Sequence, residues 1–328
     1  MIKNNLKKII ALLSISYFFI SCKDNKNITN EADNITVETI NDFEIERFDR
    51  IFFTSKPQDL QNLKVKYPFF FPPGNADTVW TNKMNNKLLK ELYNEVEIKY
   101  QNDNNLKDDL SKMFALINKN FKLNTPRVIT LISEVDTDAK AIYTDSLVII
   151  SLDCYLGSNH KYYVDFPEYQ RQNFEQHQIL PDLITNFIER RAPYPQDKSL
   201  LSQMIYYGKE LYAKDVLLPF VEEHHKIGYT AQQLQWCKEN EYQMWSFFID
   251  ENLLFDTNPK QLQRFITPAP FSKFYLDIDN QSPGRVGQWI GWQIVKSYMQ
   301  NHNISLSELL SLDEKKIFEN SNYKPDKP

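Results

Sequence analysis

The sequence predicts an α+β fold: a helix-rich single domain carrying a small antiparallel sheet. Three observations predict it. Apolar residues recur at helical spacing over most of the chain from Gln170 onward. Only the stretch from Val128 to Ser151 is rich in β-branched residues. No linker long enough to separate two domains interrupts the run from Phe43 to Leu310. A small sheet inside a helix-rich chain is α+β by layer logic.

Taken in order, Thr81 to Lys99 and residues 105–118 read as amphipathic helices. Leu88, Leu89, Leu92 and Val96 line the first, and Leu110, Met113, Phe114 and Ile117 the second. Asn124-Thr125-Pro126 breaks the pattern, and Val128 to Ile132 reads as a strand. Ala141 to Thr144 and Leu147 to Ser151 form a hairpin about Asp145-Ser146. The helix 176–191 then carries Ile179, Leu183, Ile184, Phe187 and Ile188 on one side. Leu200–Phe220, Ala231–Leu254 with Thr230 as its N-cap, Val286–Met299 and a short Ser305–Leu310 complete the helices. No repeat of about 20–50 residues is visible, which disfavours a solenoid.

The amino terminus says where the chain works. Lys3, Lys7 and Lys8 precede an apolar run from Ile9 to Ile20, the layout of a secretory signal peptide. That run is too short for the roughly 20 residues of a stable membrane-crossing helix. Ser21-Cys22 resembles a bacterial lipobox, with Phe19 where Leu is usual. The resemblance implies cleavage before Cys22 and acylation, palmitate included, of that cysteine. The expected organisation is a signal peptide over 1–21, a lipidated flexible tether over 22–40, and one globular domain over 41–328. The polar leader from Lys23 to Val37 has almost nothing to bury. Acyl chains contribute about 0.8 kcal/mol per buried methylene, so two or three on Cys22 tie the chain firmly to a membrane.

Composition narrows the function classes. There are 38 Lys and Arg against 43 Asp and Glu, a net charge of −5 with both signs interspersed, which argues against nucleic acid. The chain has only 7 glycines and neither a GxGxxG nor a Walker-type phosphate loop, so nucleotide binding has no support. With 22 Phe, 18 Tyr and 5 Trp it is rich in aromatics, several in proline-edged loops such as Pro68 to Pro73. Beside Cys22, Cys154 and Cys237 remain, either as one bridge or as two buried thiols.

The chemistry-bearing residues give no complete constellation. None of the five histidines has HExxH spacing, and neither GxSxG nor CxxC occurs. Glu222-Glu223-His224-His225 reads as a solvated polar stretch, because adjacent helical residues point about 100° apart. Asp182 and Asn186, four apart on helix 176–191, form a carboxylate–amide pair that either lines a cleft or is simply the wet face. Arg285 opens a helix, where the macrodipole disfavours a cation, so a carboxylate partner such as Asp277 or Asp279 is expected. It serves as a polar clamp at a cleft mouth or as a structural ion pair. Gly287 and Gly291 give that helix a smooth face for another helix. No catalytic residue, metal or cofactor follows from spacing.

Several motifs occur together and in order: the lipobox, IERFD from Ile45, YPFFFP from Tyr67, DCYLG with His160-Lys161-Tyr162-Tyr163, MIYYGKELY from Met204, IGYT from Ile227, WCKENEYQMW from Trp236, APFSKF, and SPGRVGQWIGWQIVKSYM. Over nearly its whole length the chain resembles the GldB family, gliding-motility-associated lipoproteins of the Bacteroidetes. The resemblance implies an envelope lipoprotein, on the periplasmic face of the outer membrane or the outer face of the inner one. It further implies support of gliding and of the associated type IX secretion machinery through contacts with other envelope proteins. A more distant resemblance, to lipoprotein relatives of zinc peptidases, implies a degenerate zinc-peptidase-like scaffold with its metal ligands missing. On that scaffold a cleft beside helix 176–191, bounded by strand Leu147–Ser151 and the helix around Tyr207, holds an extended peptide against the sheet edge. The candidate cleft or partner-binding residues are Asp182, Asn186, Tyr207, His160 and Arg285. The competing function class is an envelope hydrolase with a carboxylate or metal site that spacing does not reveal.

Overall fold

A computed structural model describes residues 38–327; the signal peptide, Cys22 and the leader up to residue 37 lie outside the described residues. Four strands, β1 (Ile45–Arg47), β2 (Arg127–Leu131), β3 (Ala141–Tyr143) and β4 (Leu147–Ser151), make one sheet in the order β1-β2-β4-β3. The hairpin β3–β4 is antiparallel, but β1–β2 and β2–β4 are parallel. The α+β class therefore holds with a mixed sheet in place of an antiparallel one. The parallel β2–β4 pair arises because β2 lies beside β4, with β3 between them in sequence. The other parallel pair comes from β1, whose three residues are too short for alternation to show. It reaches β2 through five helices, and such a long crossover returns the chain in the same direction.

Those helices are α1 (Phe48–Thr54), α2 (Leu60–Lys66), α3 (Asp77–Asn85), α4 (Lys87–Lys99) and α5 (Asn104–Phe121). After the sheet come α6 (Glu168–Arg171), α7 (Ile179–Glu189), α8 (Leu200–Leu217), α9 (Glu223–Ile227), α10 (Ala231–Glu239) and α11 (Glu241–Asp250). Finally α12 (Pro259–Phe265), α13 (Val286–Asn301), α14 (Leu306–Ser311) and α15 (Glu314–Ser321) close the chain. The expected helix 81–99 is divided at Asn86, whose side chain accepts hydrogen bonds from the Leu88 and Leu89 amides and starts α4 afresh. Ala231–Leu254 likewise divides at Asn240. Thr230 caps α10 through a capping box with Gln233.

The sheet separates two apolar clusters. On one side Ile129 meets Phe48, Phe52, Leu63, Tyr67 and Phe71, so Tyr67 and Phe71 of the YPFFFP loop are core while Phe69 between them stays exposed. On the other, Val128, Val148 and Ile150 join the main core with α5, α7, α8 and α13. The IERFD motif ties the sheet to this frame through a buried pair. The Arg47 guanidinium donates to Asp49 at 2.7 Å and to the Tyr100 carbonyl at 2.6 Å, while Thr130 donates its hydroxyl to Asp49 at 2.5 Å. Cys154 and Cys237 are both buried free thiols. Burial pushes the Cys154 thiol up to about 12, which makes it a poor nucleophile.

Candidate functional site

Helices α7 and α8 pack against each other along polar as well as apolar residues, and a cleft of about 550 Å³ opens beside that seam. Gln178, Asp182, Thr185 and Glu189 line one wall at helical spacing. Tyr207, Glu210, Leu211 and Lys214 line the next. The mouth is completed by the turns at Gly228-Tyr229 and Gly284-Arg285, and by Thr137 and Lys140 before β3.

The charges inside are mostly paired with one another. Asp182 sits 2.7 Å from the Lys140 ammonium and accepts from the Tyr155 hydroxyl at 2.9 Å. Glu210 accepts from the Thr185 hydroxyl at 2.6 Å and lies 2.9 Å from Lys214. Lys214 also donates to the Lys226 carbonyl at 3.0 Å. Burial raises the pKa of Glu189, and the charge of Glu210 adds to that rise. Burial also lifts the Tyr207 phenol to about 12, so it enters the cleft as a neutral hydroxyl.

Arg285 occupies an unusual backbone position. It is the N-cap of α13 with φ of 63°, in the left-handed region. The turn around it is locked from several sides. Tyr229 donates its hydroxyl to the Gly284 carbonyl, and the Val286 amide donates to the Ser272 hydroxyl at 3.2 Å. A Cβ on Gly284 would run into the Ala269 carbonyl, so only glycine fits there. The Arg285 guanidinium donates to the Gly228 carbonyl at 3.3 Å and lies 5.3 Å from the centre of the Tyr229 ring. The expected partner does not materialise: among the described residues no carboxylate forms an ion pair with Arg285. Asp279 instead accepts the amides of Phe274, Tyr275 and Leu276, closing its own turn.

Of the five candidates, the structure gathers Asp182, Tyr207 and Arg285 in the cleft and leaves two outside. Asn186 accepts the Tyr143 amide at 2.8 Å, so it satisfies the outer edge of β3 and is no partner of Asp182. With that edge capped and α7 packed along β3, no strand can be added there. His160 caps a 3₁₀ turn, accepting the Tyr162 amide at 3.4 Å, and faces Glu95 at 3.5 Å, away from the cleft. The cleft is also not bounded by β4: Ile149 and Ser151 line a second, apolar cavity of about 370 Å³ under Phe71 and Trp80. Sequence reasoning missed Gln178, Glu189, Glu210 and Lys214. A signal existed for the last two, because α8 is apolar on nearly every side yet carries Lys209, Glu210 and Lys214 within it.

Among the described residues no three His, Cys, Asp or Glu side chains converge as a metal site. Across these residues no helix is long and apolar enough to cross a membrane. A family model described as gliding motility protein GldB matches residues 29–325. No curated protein and no solved structure matches the chain.

Proposed function

The chain belongs to the gliding motility protein GldB family, and from that premise we propose that it is held in the envelope by acyl chains on Cys22 and supports gliding through contacts with other envelope proteins, without catalysing a reaction. It is a gliding-motility lipoprotein anchored at a membrane. The finer reading places it within the motility and type IX secretion machinery, on the periplasmic face of the outer membrane or the outer face of the inner one.

The family match over residues 29–325 carries the reading. The cleft supports its non-catalytic part. Asp182 and Glu210 each already hold a lysine ammonium and a hydroxyl donor, so neither is free to take a substrate proton. The signal sequence and Ser21-Cys22 support the anchor. The hydrolase reading rests on Glu189, whose raised pKa suits a general acid. Photo-crosslinking in intact envelopes tests the proposal. Discrete crosslinks to motility or secretion proteins are expected, while a Glu189→Gln chain keeps full gliding. Loss of gliding in that variant, with its crosslinks and its melting temperature retained, would favour the hydrolase.

A further inference from the structure

We propose that the cleft beside α7 and α8 binds the free carboxylate end of a short peptide, with Arg285 as the carboxylate anchor and Gln178 as acceptor for a peptide N–H. The inference gives the contact-making role above a ligand, and it rests on that reading for its biological meaning alone.

Arg285 is the cleft's uncommitted cation. Lys140 and Lys214 are already neutralised by Asp182 and Glu210, whereas Arg285 meets only a carbonyl and an aromatic face. Its planar fork matches a carboxylate bidentately, which a lysine cannot do. The residue is held at positive φ by a turn that Tyr229, Gly284 and Ser272 fix in place. Backbone strain of this kind survives only where the surroundings over-determine it, and ligand clamps are a common location. Arg285 is also the N-cap residue of α13, a helix of 16 residues whose N-terminal partial positive charge favours an anion there.

A second observation comes from the opposite wall. Gln178 is 4% exposed and lines the cleft, yet its Oε1 has no hydrogen-bond partner. Buried acceptors are nearly always satisfied, so this oxygen calls for a donor from a ligand. The ligand must therefore combine an anionic end with N–H groups. Inorganic phosphate carries no N–H group to meet the Gln178 oxygen. A carboxylate monoanion on a peptide backbone meets both demands, and about 550 Å³ lies within the usual range of ligand cavities.

The test is saturation-transfer NMR on the detergent-solubilised full-length protein. The probes are a pool of N-acetylated tripeptide acids, the same pool as C-terminal amides, and inorganic phosphate. The acids should bind, and the amides should bind about tenfold more weakly, a step of ~1.4 kcal/mol. Arg285→Gln should erase the acid preference at an unchanged melting temperature, and Arg285→Lys should restore part of it. Gln178→Leu should weaken acids and amides alike. Equal binding of acids and amides, no transfer from either pool, or displacement of the acids by phosphate at lower concentration would each overturn the assignment. The wild-type acid–amide comparison stands even if a variant fails to fold. Absent binding with intact envelope crosslinks would sink the cleft assignment and leave the contact role standing.

Discussion

Gly208 of α8 and Gly291 of α13 face one another where the two helices cross, and neither has room for a side chain. A Cβ on Gly208 would meet the Gly291 carbonyl group, and a Cβ on Gly291 would land on the Met204 carbonyl oxygen. The two backbones touch, which brings Trp289 and Trp292 fully into the core. Gly291→Ala should therefore push the main helix pair apart. Overpacking of this kind costs about 1–3 kcal/mol, and more where backbone must move. Urea unfolding reads the loss; a midpoint equal to wild type would mean that the crossing is looser than described.

The carboxyl-terminal helices are held by a buried ion pair. Lys209, fully buried on α8, lies 2.6 Å from Glu314 at the start of α15 and donates to the Leu312 carbonyl at 2.9 Å. Lys209→Ala should destabilise by about 3–5 kcal/mol, because Glu314 is left without its partner. Replacing both with apolar residues of similar volume should recover most of that loss. Calorimetry of the single and double variants distinguishes the two effects. A single variant within error of wild type would contradict the pairing.

Three histidines gather at α9, His224 and His225 on the helix and His177 stacked on His225. The rings of His177 and His225 lie 3.7 Å apart, and those of His224 and His225 3.9 Å. Burial, with the other histidines' charges adding to it, holds His225 down to about 4, and His177 is lowered chiefly by burial. The unfolded chain thus binds more protons than the folded one between the ordinary value of 6.5 and the lowered values. Stability should be full above 6.5 and fall as pH drops through that window toward 4. Partial exposure of the rings tempers the effect. Melting temperatures between pH 7 and pH 5 measure it, and His177→Gln with His225→Gln should flatten the slope. An unchanged slope in the double variant would show that other groups carry it.

How far the sequence could be read depended on length and on locality. The long amphipathic helices α5 and α7, the hairpin β3–β4 and the Thr230 cap were all legible, because periodicity and capping are local signals. The glycine face of α13 was legible for the same reason, and Gly291 does meet α8. β1 was not, since three residues hold too little pattern and its partner β2 lies some 80 positions away. In the cleft, Asp182, Tyr207 and Arg285 share one lining, but their partners did not follow from spacing. Lys140, Tyr155 and Gly228 reach them from distant segments, and Asn186 is drawn to the Tyr143 amide, a contact no helical wheel contains.

The central claim is that the chain acts as a membrane-anchored lipoprotein in gliding, and colony spreading of a deletion strain carrying Cys22→Ala tests it most directly. Among the described residues the core is built from Ile40 onward, and the variant should accumulate folded at wild-type level. It should take up no acyl label, and spreading should fail. Full spreading by a chain that carries no acyl label would contradict the account.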